Sequence, residues 1–108
     1  MADASIRVPQ KVRPGEVFPV RVVARHPMES GYRHDQVGRL IPRFIIETFV
    51  CEYEGREVFR AGLSSGISAN PYLFFHVRAG TSGELRFTWT DERGGVIEAT
   101  ARVEVTTT

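Results

Sequence analysis

Between residues 83 and 106 the chain changes character at every step. In GELRFTWTD (83–91), Leu85, Phe87 and Trp89 alternate with Glu84, Arg86, Thr88 and Thr90. In GVIEATARVEVT (95–106), Ile97, Ala99, Ala101, Val103 and Val105 alternate with Glu98, Thr100, Arg102, Glu104 and Thr106. Successive side chains of a strand point to opposite faces, so a period of two places the apolar groups on one side and the polar groups on the other. ERG (92–94) joins the runs, a short Gly-containing connection of the kind that closes a hairpin. The segment therefore reads as an antiparallel ribbon with one dry and one wet face.

The rest of the chain is written in the same short units. SIRVP (5–9) precedes the turn signal RPGE (13–16), and VFPVRVVAR (17–25) carries Pro19 near its start, which favours a strand end or edge. RFIIETFVCEYEG (43–55) turns at Glu54 and Gly55 into REVFRAGL (56–63). A small-residue link, SSGISANP, leads to YLFFHVRAG at 72–80. There are no repeats, no low-complexity segment and no sustained helical period with caps. Seven strands with turns every 8–12 residues predict an all-β fold: one antiparallel immunoglobulin-like β-sandwich of about seven strands over residues 1–108. A single cysteine excludes an internal disulfide and the Cys…Trp…Cys signature of true immunoglobulin domains.

Charge narrows the function classes. Fourteen basic and 13 acidic residues are scattered along the chain, leaving a net charge of +1. That is no electrostatic footprint for nucleic acid or an anionic membrane. MADASIRVPQKVR lacks the apolar run of a secretory signal, and no later segment is apolar enough to span a bilayer. Taken alone, the sequence reads as cytoplasmic, unless a processed segment is missing or a partner carries the address.

Two strands look apolar on both sides. Tyr72, Phe74 and His76 share one phase, and Leu73, Phe75 and Val77 the other. In 44–53, Phe44, Ile46 and Val50 oppose Ile45, Phe49, Cys51 and Tyr53. If both lie in one sheet, its outer face is aromatic and must be covered, by a partner, a second copy, or the chain's own long loop. That loop, HPMESGYRHDQVGRLIP at 26–42, runs 17 residues, well beyond the ordinary connection of about 4–6.

The chemistry-bearing residues do not assemble into a site. His26, Met28, His34 and Asp35, with Cys51 and His76, are the only candidates for a soft or borderline metal centre. Cys51 is followed by Glu52, Tyr53, Glu54 and Gly55, which supply no blue-copper ligand, and neither CxxC nor HxxxH occurs. Cys51 in mid-strand reads as a small inert hydrophobe, with a reactive thiol or interchain disulfide as alternatives. Ser64, Ser65 and Ser68 lack the GxSxG elbow, and Glu47 and Glu52 fall on opposite strand faces. No catalytic residue, cofactor or metal ligand set is expected, and an enzyme active wholly on its own is not the expected reading.

HPMESG (26–31), GRLIPRFII (38–46), SANPYLFF (68–75) and FTWTDERGG (87–95) closely resemble the SoxZ family, in order and over nearly the whole chain. Its members are the smaller subunits of the SoxYZ sulfur-carrier complex of bacterial thiosulfate oxidation. The resemblance implies a non-catalytic immunoglobulin-like subunit that pairs with SoxY, whose C-terminal cysteine arm carries sulfur adducts. Other Sox enzymes would visit the complex transiently. The resemblance implies that the carrying thiol belongs to SoxY; the sequence here ends TARVEVTTT, with no Gly-Gly-Cys arm. The resemblance also implies a periplasmic protein, exported with its partner and lacking a signal of its own. Gly31, Gly38 and Pro42 would shape the long loop into an ordered arm. The partner interface expected on this reading comprises His26, Met28, Tyr32, Leu40, Ile41, Pro42, Ser68, Asn70, Tyr72 and Phe74. Self-association of the isolated chain through the same patch is left open by the sequence. RFIIETFVCEYEG is more freely varied and leaves the role of Cys51 open. Two other readings remain at this point: a small metal-binding redox protein, and a stand-alone immunoglobulin-like adhesion or ligand-binding module.

Overall fold

The C-terminal ribbon forms as its alternation requires. In the computed structural model, which describes residues 3–107, β7 (Gly83–Asp91) and β8 (Val96–Val105) pair antiparallel. Leu85 faces Ala101, Phe87 faces Ala99 and Trp89 faces Ile97, so apolar groups meet across the ribbon. Asp91 Oδ1 accepts the Arg93 and Gly95 amides at 2.8 Å each, and Gly94 takes a φ of 83°. An Asp that bonds backbone two residues on, followed by a glycine in the left-handed region, closes the turn. Met1, Ala2 and Thr108, the ends of the expected 1–108 domain, lie outside the described residues.

Eight strands in two sheets make the sandwich. Besides β7 and β8, they are β1 (Ala4–Arg7), β2 (Lys11–Val12), β3 (Val17–Ala24), β4 (Ile46–Tyr53), β5 (Arg56–Gly62) and β6 (Tyr72–Arg78). One sheet has the order β1-β3-β6 and the other β2-β8-β7-β4-β5. The extra strand is β2, whose two residues run parallel to the end of β8. It is too short to carry a period-two signal, and its parallel pairing departs from the all-antiparallel expectation. Pro19 sits in β3, the central strand of its sheet rather than an edge. It is tolerated because β1 ends at Arg7, which pairs with Arg21, two residues short of the proline. No ladder bond is asked of its missing N–H.

The condition that the two apolar-looking strands share a sheet is not met: β4 and β6 lie in opposite layers. The two-phase reading of 44–53 also fails. The β4–β7 register shifts between Ile46 and Thr48, so Ile46 and Phe49, three apart, both enter the core with Cys51 and Tyr53. A bulge inserts one extra residue and flips the phase beyond it. Val50 alone remains apolar on the outer side, half-buried opposite Arg60 and Thr88. The outer face of the five-stranded sheet is instead dressed by compensated charge, with Arg60 on Glu57 at 2.8 Å and Arg86 on Glu98 at 3.5 Å.

The two sheets meet in an aromatic cluster centred on Phe49. Its ring lies 5.0 Å from Trp89, 5.8 Å from Phe75 and 6.1 Å from Phe59. Phe59 of the larger sheet stacks on Phe75 of the smaller one at 4.2 Å. Tyr53 donates its hydroxyl to the Thr81 carbonyl and accepts the Gly80 amide at 3.2 Å, tying the β6–β7 connection to the core.

Candidate partner interface

At one end of the sandwich the long stretch after β3 leaves the body. His26 and Asn70 exchange two bonds: the His26 amide donates to Asn70 Oδ1 at 3.0 Å, and the Asn70 amide to the His26 carbonyl at 2.8 Å. Asn70 has a φ of 53°, a left-handed conformation that asparagine adopts more readily than most residues. His26 Nδ1 accepts the Met28 amide at 3.0 Å, and Met28 Sδ accepts the Ile46 amide at 3.2 Å. Met28 has a φ of 49°, which turns its side chain into the core. The Phe44 ring lies 4.4 Å from the His26 ring and 4.0 Å from the Arg93 guanidinium.

Two charged groups complete this root. Glu92 accepts Arg43 at 2.8 Å and the Ile45 amide at 3.1 Å, and the Arg43 guanidinium holds its carboxyl below the usual range. Burial holds His26 below the ordinary histidine range, against the upward pull of Asp91. Because its Nδ1 accepts, the neutral ring carries its proton on Nε2. That atom is buried without a hydrogen-bond partner among the described residues.

Beyond the root the stretch is a free-standing antiparallel finger. Glu29 and Phe44 exchange backbone bonds at 2.8 and 2.9 Å, the Ile41 amide donates to the Arg33 carbonyl at 2.8 Å, and the Asp35 amide to the Arg39 carbonyl at 2.9 Å. Asp35 Oδ1 closes the tip by accepting the Val37 and Arg39 amides, with Gly38 at a φ of 83°. Gly31 takes a φ of 89°, and a Cβ there would lie 3.1 Å from the Arg43 Cβ on the opposite leg. The molecule measures 62 × 23 × 20 Å, whereas its ten-residue β8 spans roughly 33 Å at about 3.3 Å per residue. The projecting finger accounts for much of the difference.

The expected interface residues divide into four groups. His26 and Met28 are 6% and 5% exposed, so both are corrected from interface to core. The left-handed turn at Met28 and the His26–Asn70 pairing face them inward. Tyr32 and Leu40 stand on the finger at 81% and 57% exposure, with Pro42 exposed and Ile41 half-buried on the same ribbon. The finger does not pack across a sheet, so it does not cover the aromatic face. Ser68 and Asn70 are exposed in the link before β6, though Asn70 is engaged by His26.

Tyr72 and Phe74 are 56% and 49% exposed on the outer face of the three-stranded sheet. There the Arg21 guanidinium lies 4.6 Å above the Phe74 ring, and His76 lies 5.0 Å from it. Two contributors escaped sequence reasoning. Val37, 74% exposed near the finger tip, was hidden in a polar run, and Arg21 reaches Phe74 only through the β3–β6 register.

The chemistry-bearing residues are dispersed. His34 is on the finger, Cys51 in the core and His76 on the outer face of β6. Among the described residues no group of three or more His, Cys, Asp or Glu is placed to hold a metal ion. Likewise, no helix of the described residues is long and apolar enough to cross a membrane. Burial pushes the Cys51 thiol up to about 12. A thiol reagent at pH 8 is expected to leave the folded protein unmodified and to titrate one thiol after denaturation. Rapid native labelling would contradict this packing.

The sequence matches the family model for sulphur oxidation protein SoxZ over residues 6–102. No curated protein sequence matches it. Among solved structures, a superoxide reductase (neelaredoxin) of Ignicoccus hospitalis is similar at 22% identity and a TM-score of 0.68, covering 95% of this chain and 80% of that one. A putative superoxide reductase of Thermotoga maritima is similar at 17% identity and a TM-score of 0.74, with 95% and 85% covered. The sulfur carrier protein SoxY of Chlorobium limicola f thiosulfatophilum is similar at 15% identity and a TM-score of 0.67, with 98% and 81% covered. At these identities the likeness is one of fold, the immunoglobulin-like sandwich.

Proposed function

The chain belongs to the SoxZ family, whose model spans residues 6–102, and from that premise we propose that it is the non-catalytic half of a SoxYZ pair. In this reading a single domain holds a SoxY subunit, and SoxY carries the covalent sulfur intermediates of thiosulfate oxidation. The pair works in the periplasm, reached through the partner's export signal. Other Sox enzymes contact it transiently.

One observation carries the reading. The finger is ordered by its own backbone bonds, yet presents Tyr32, Val37 and Leu40 to solvent. An ordered ribbon with exposed large apolar groups gains nothing for the monomer and suits a surface completed by another polypeptide. Tyr72 and Phe74 expose further apolar surface on the sandwich itself.

Co-expression with the SoxY of the same pathway is expected to yield a complex with the summed mass of one copy of each. Tyr72→Glu is expected to lower recovery of SoxY about tenfold, the effect of about 1.4 kcal/mol. A chain that purifies as a lone monomer beside folded SoxY would remove the proposal.

A further inference from the structure

The sandwich has an edge strand that lacks the usual protection. An exposed edge offers unpaired N–H and C=O groups to any other strand, and proteins blunt such edges by shortness, charge, proline or bulges. In this chain β1 has four residues and is followed closely by Pro9, and β2 has two. β5 carries Arg56, Glu57 and Arg60, and a register shift at Cys51/Glu52 interrupts its pairing with β4. β6 is seven residues long and unbulged, holds no proline, and has Arg78 at its end as its one Lys, Arg, Asp or Glu. Its sequence is YLFFHVR, and its register with β3 runs unbroken from Tyr72 to Arg78.

The backbone bonds show which groups of β6 are free. The Ala24 amide donates to the Pro71 carbonyl and the Ala79 amide to the Glu16 carbonyl. In an antiparallel pair, residues that bond directly alternate with residues that do not. The partners bonded to β3 are therefore Leu73, Phe75 and Val77. The N–H and C=O groups of Tyr72, Phe74, His76 and Arg78 point away from it. Among the described residues no further backbone bond joins 72–78 to any other segment.

We propose that β6 is a docking edge to which the SoxY partner adds an extended strand, continuing the three-stranded sheet across the heterodimer through the outward groups of Tyr72, Phe74, His76 and Arg78. This inference rests on the functional reading above and deepens it. The occupant is a strand because only extended backbone matches four alternate donor–acceptor pairs. It carries apolar side chains toward both faces, since β6 presents Phe75 and Val77 inward and Tyr72 and Phe74 outward.

Charge disfavours a second copy as the occupant. On the outer side of this sheet Arg78 lies on β6 and Arg21 on the neighbouring β3, and no carboxylate of the described residues pairs with them. Two copies joined at β6 would crowd these cations together, whereas a partner bearing carboxylates would compensate them. SoxY of Chlorobium limicola f thiosulfatophilum has a similar fold, so a partner of that kind is itself built of strands.

Amide hydrogen exchange on the full chain, free and bound to SoxY, tests the proposal. Exchange at Tyr72, Phe74, His76 and Arg78 is expected to slow at least about tenfold in the complex, while the edge amides of β5 keep their free rates. His76→Pro removes one outward donor and spares the β3 ladder, and is expected to weaken SoxY binding about tenfold or more. A complex that forms with these amides unprotected overturns the edge and leaves the SoxY pairing intact. Absence of any complex overturns both. Equal protection in the isolated chain on self-association overturns the choice of SoxY in favour of a second copy. If His76→Pro fails to fold, the exchange measurement on the unaltered chain still decides.

Discussion

Replacing Phe49 by alanine is expected to cost about 3–5 kcal/mol of unfolding free energy, the range found when a buried aromatic is truncated to alanine. Phe49 is fully buried and contacts the rings of Phe59, Phe75, Phe87 and Trp89. It stands on β4, between β7 and the edge strand β5 of the larger sheet, and reaches Phe75 of the smaller one. Its removal therefore opens a cavity between the layers and frees their main contact. Native domains hold only about 5–15 kcal/mol in total, so the variant should lose a large share of its stability. Urea titration of the two proteins measures the difference. A loss under about 1 kcal/mol would mean that the cluster collapses to refill the space, and that the sheets do not depend on this ring.

Shortening the finger should separate binding from stability. Replacing residues 31–42 by Asn-Gly leaves the Glu29–Phe44 bridge closed by a four-residue loop. The root keeps its His26, Met28 and Asn70 bonds, so the thermal midpoint is expected to stay within about 2 °C of the unaltered chain, less than a shift of 1 kcal/mol would produce. Tyr32, Val37 and Leu40 are lost together. Truncating one interface anchor costs about 2 kcal/mol or more, so affinity for SoxY should fall at least about thirtyfold. Calorimetry of the complex gives the affinity, and a scan of the free chain gives the midpoint. Unchanged affinity would take the finger out of the interface, and a collapsed midpoint would show that it braces the sandwich.

What could be read from the residues follows from how far each signal reaches. The alternation at Leu85, Phe87 and Trp89 is local, and it fixed β7, its hairpin with β8 and the core face of both. Gly31, Gly38 and Pro42 are expected to shape the long stretch into an ordered arm, and its tip turns at Gly38. The motifs HPMESG and SANPYLFF pointed to the SoxZ family, and the structure joins the two segments through His26 and Asn70. Their conspicuous side chains misled, however. His26 and Met28 looked like contact residues because polar and sulfur-bearing groups in a loop are usually solvated. A left-handed turn at Met28 buries both.

The sequence by itself determined an all-β sandwich, its turns and the apolar stripe of each regular strand, because these depend on side-chain periods over fewer than about ten residues. Only the tertiary structure decided that β4 and β6 face each other from opposite sheets, that a bulge turns Ile46 inward, and that β6 ends its sheet unpaired. Each depends on which distant strand lies alongside. A one-residue insertion or a change of neighbour moves a side chain to the other face without altering the local composition.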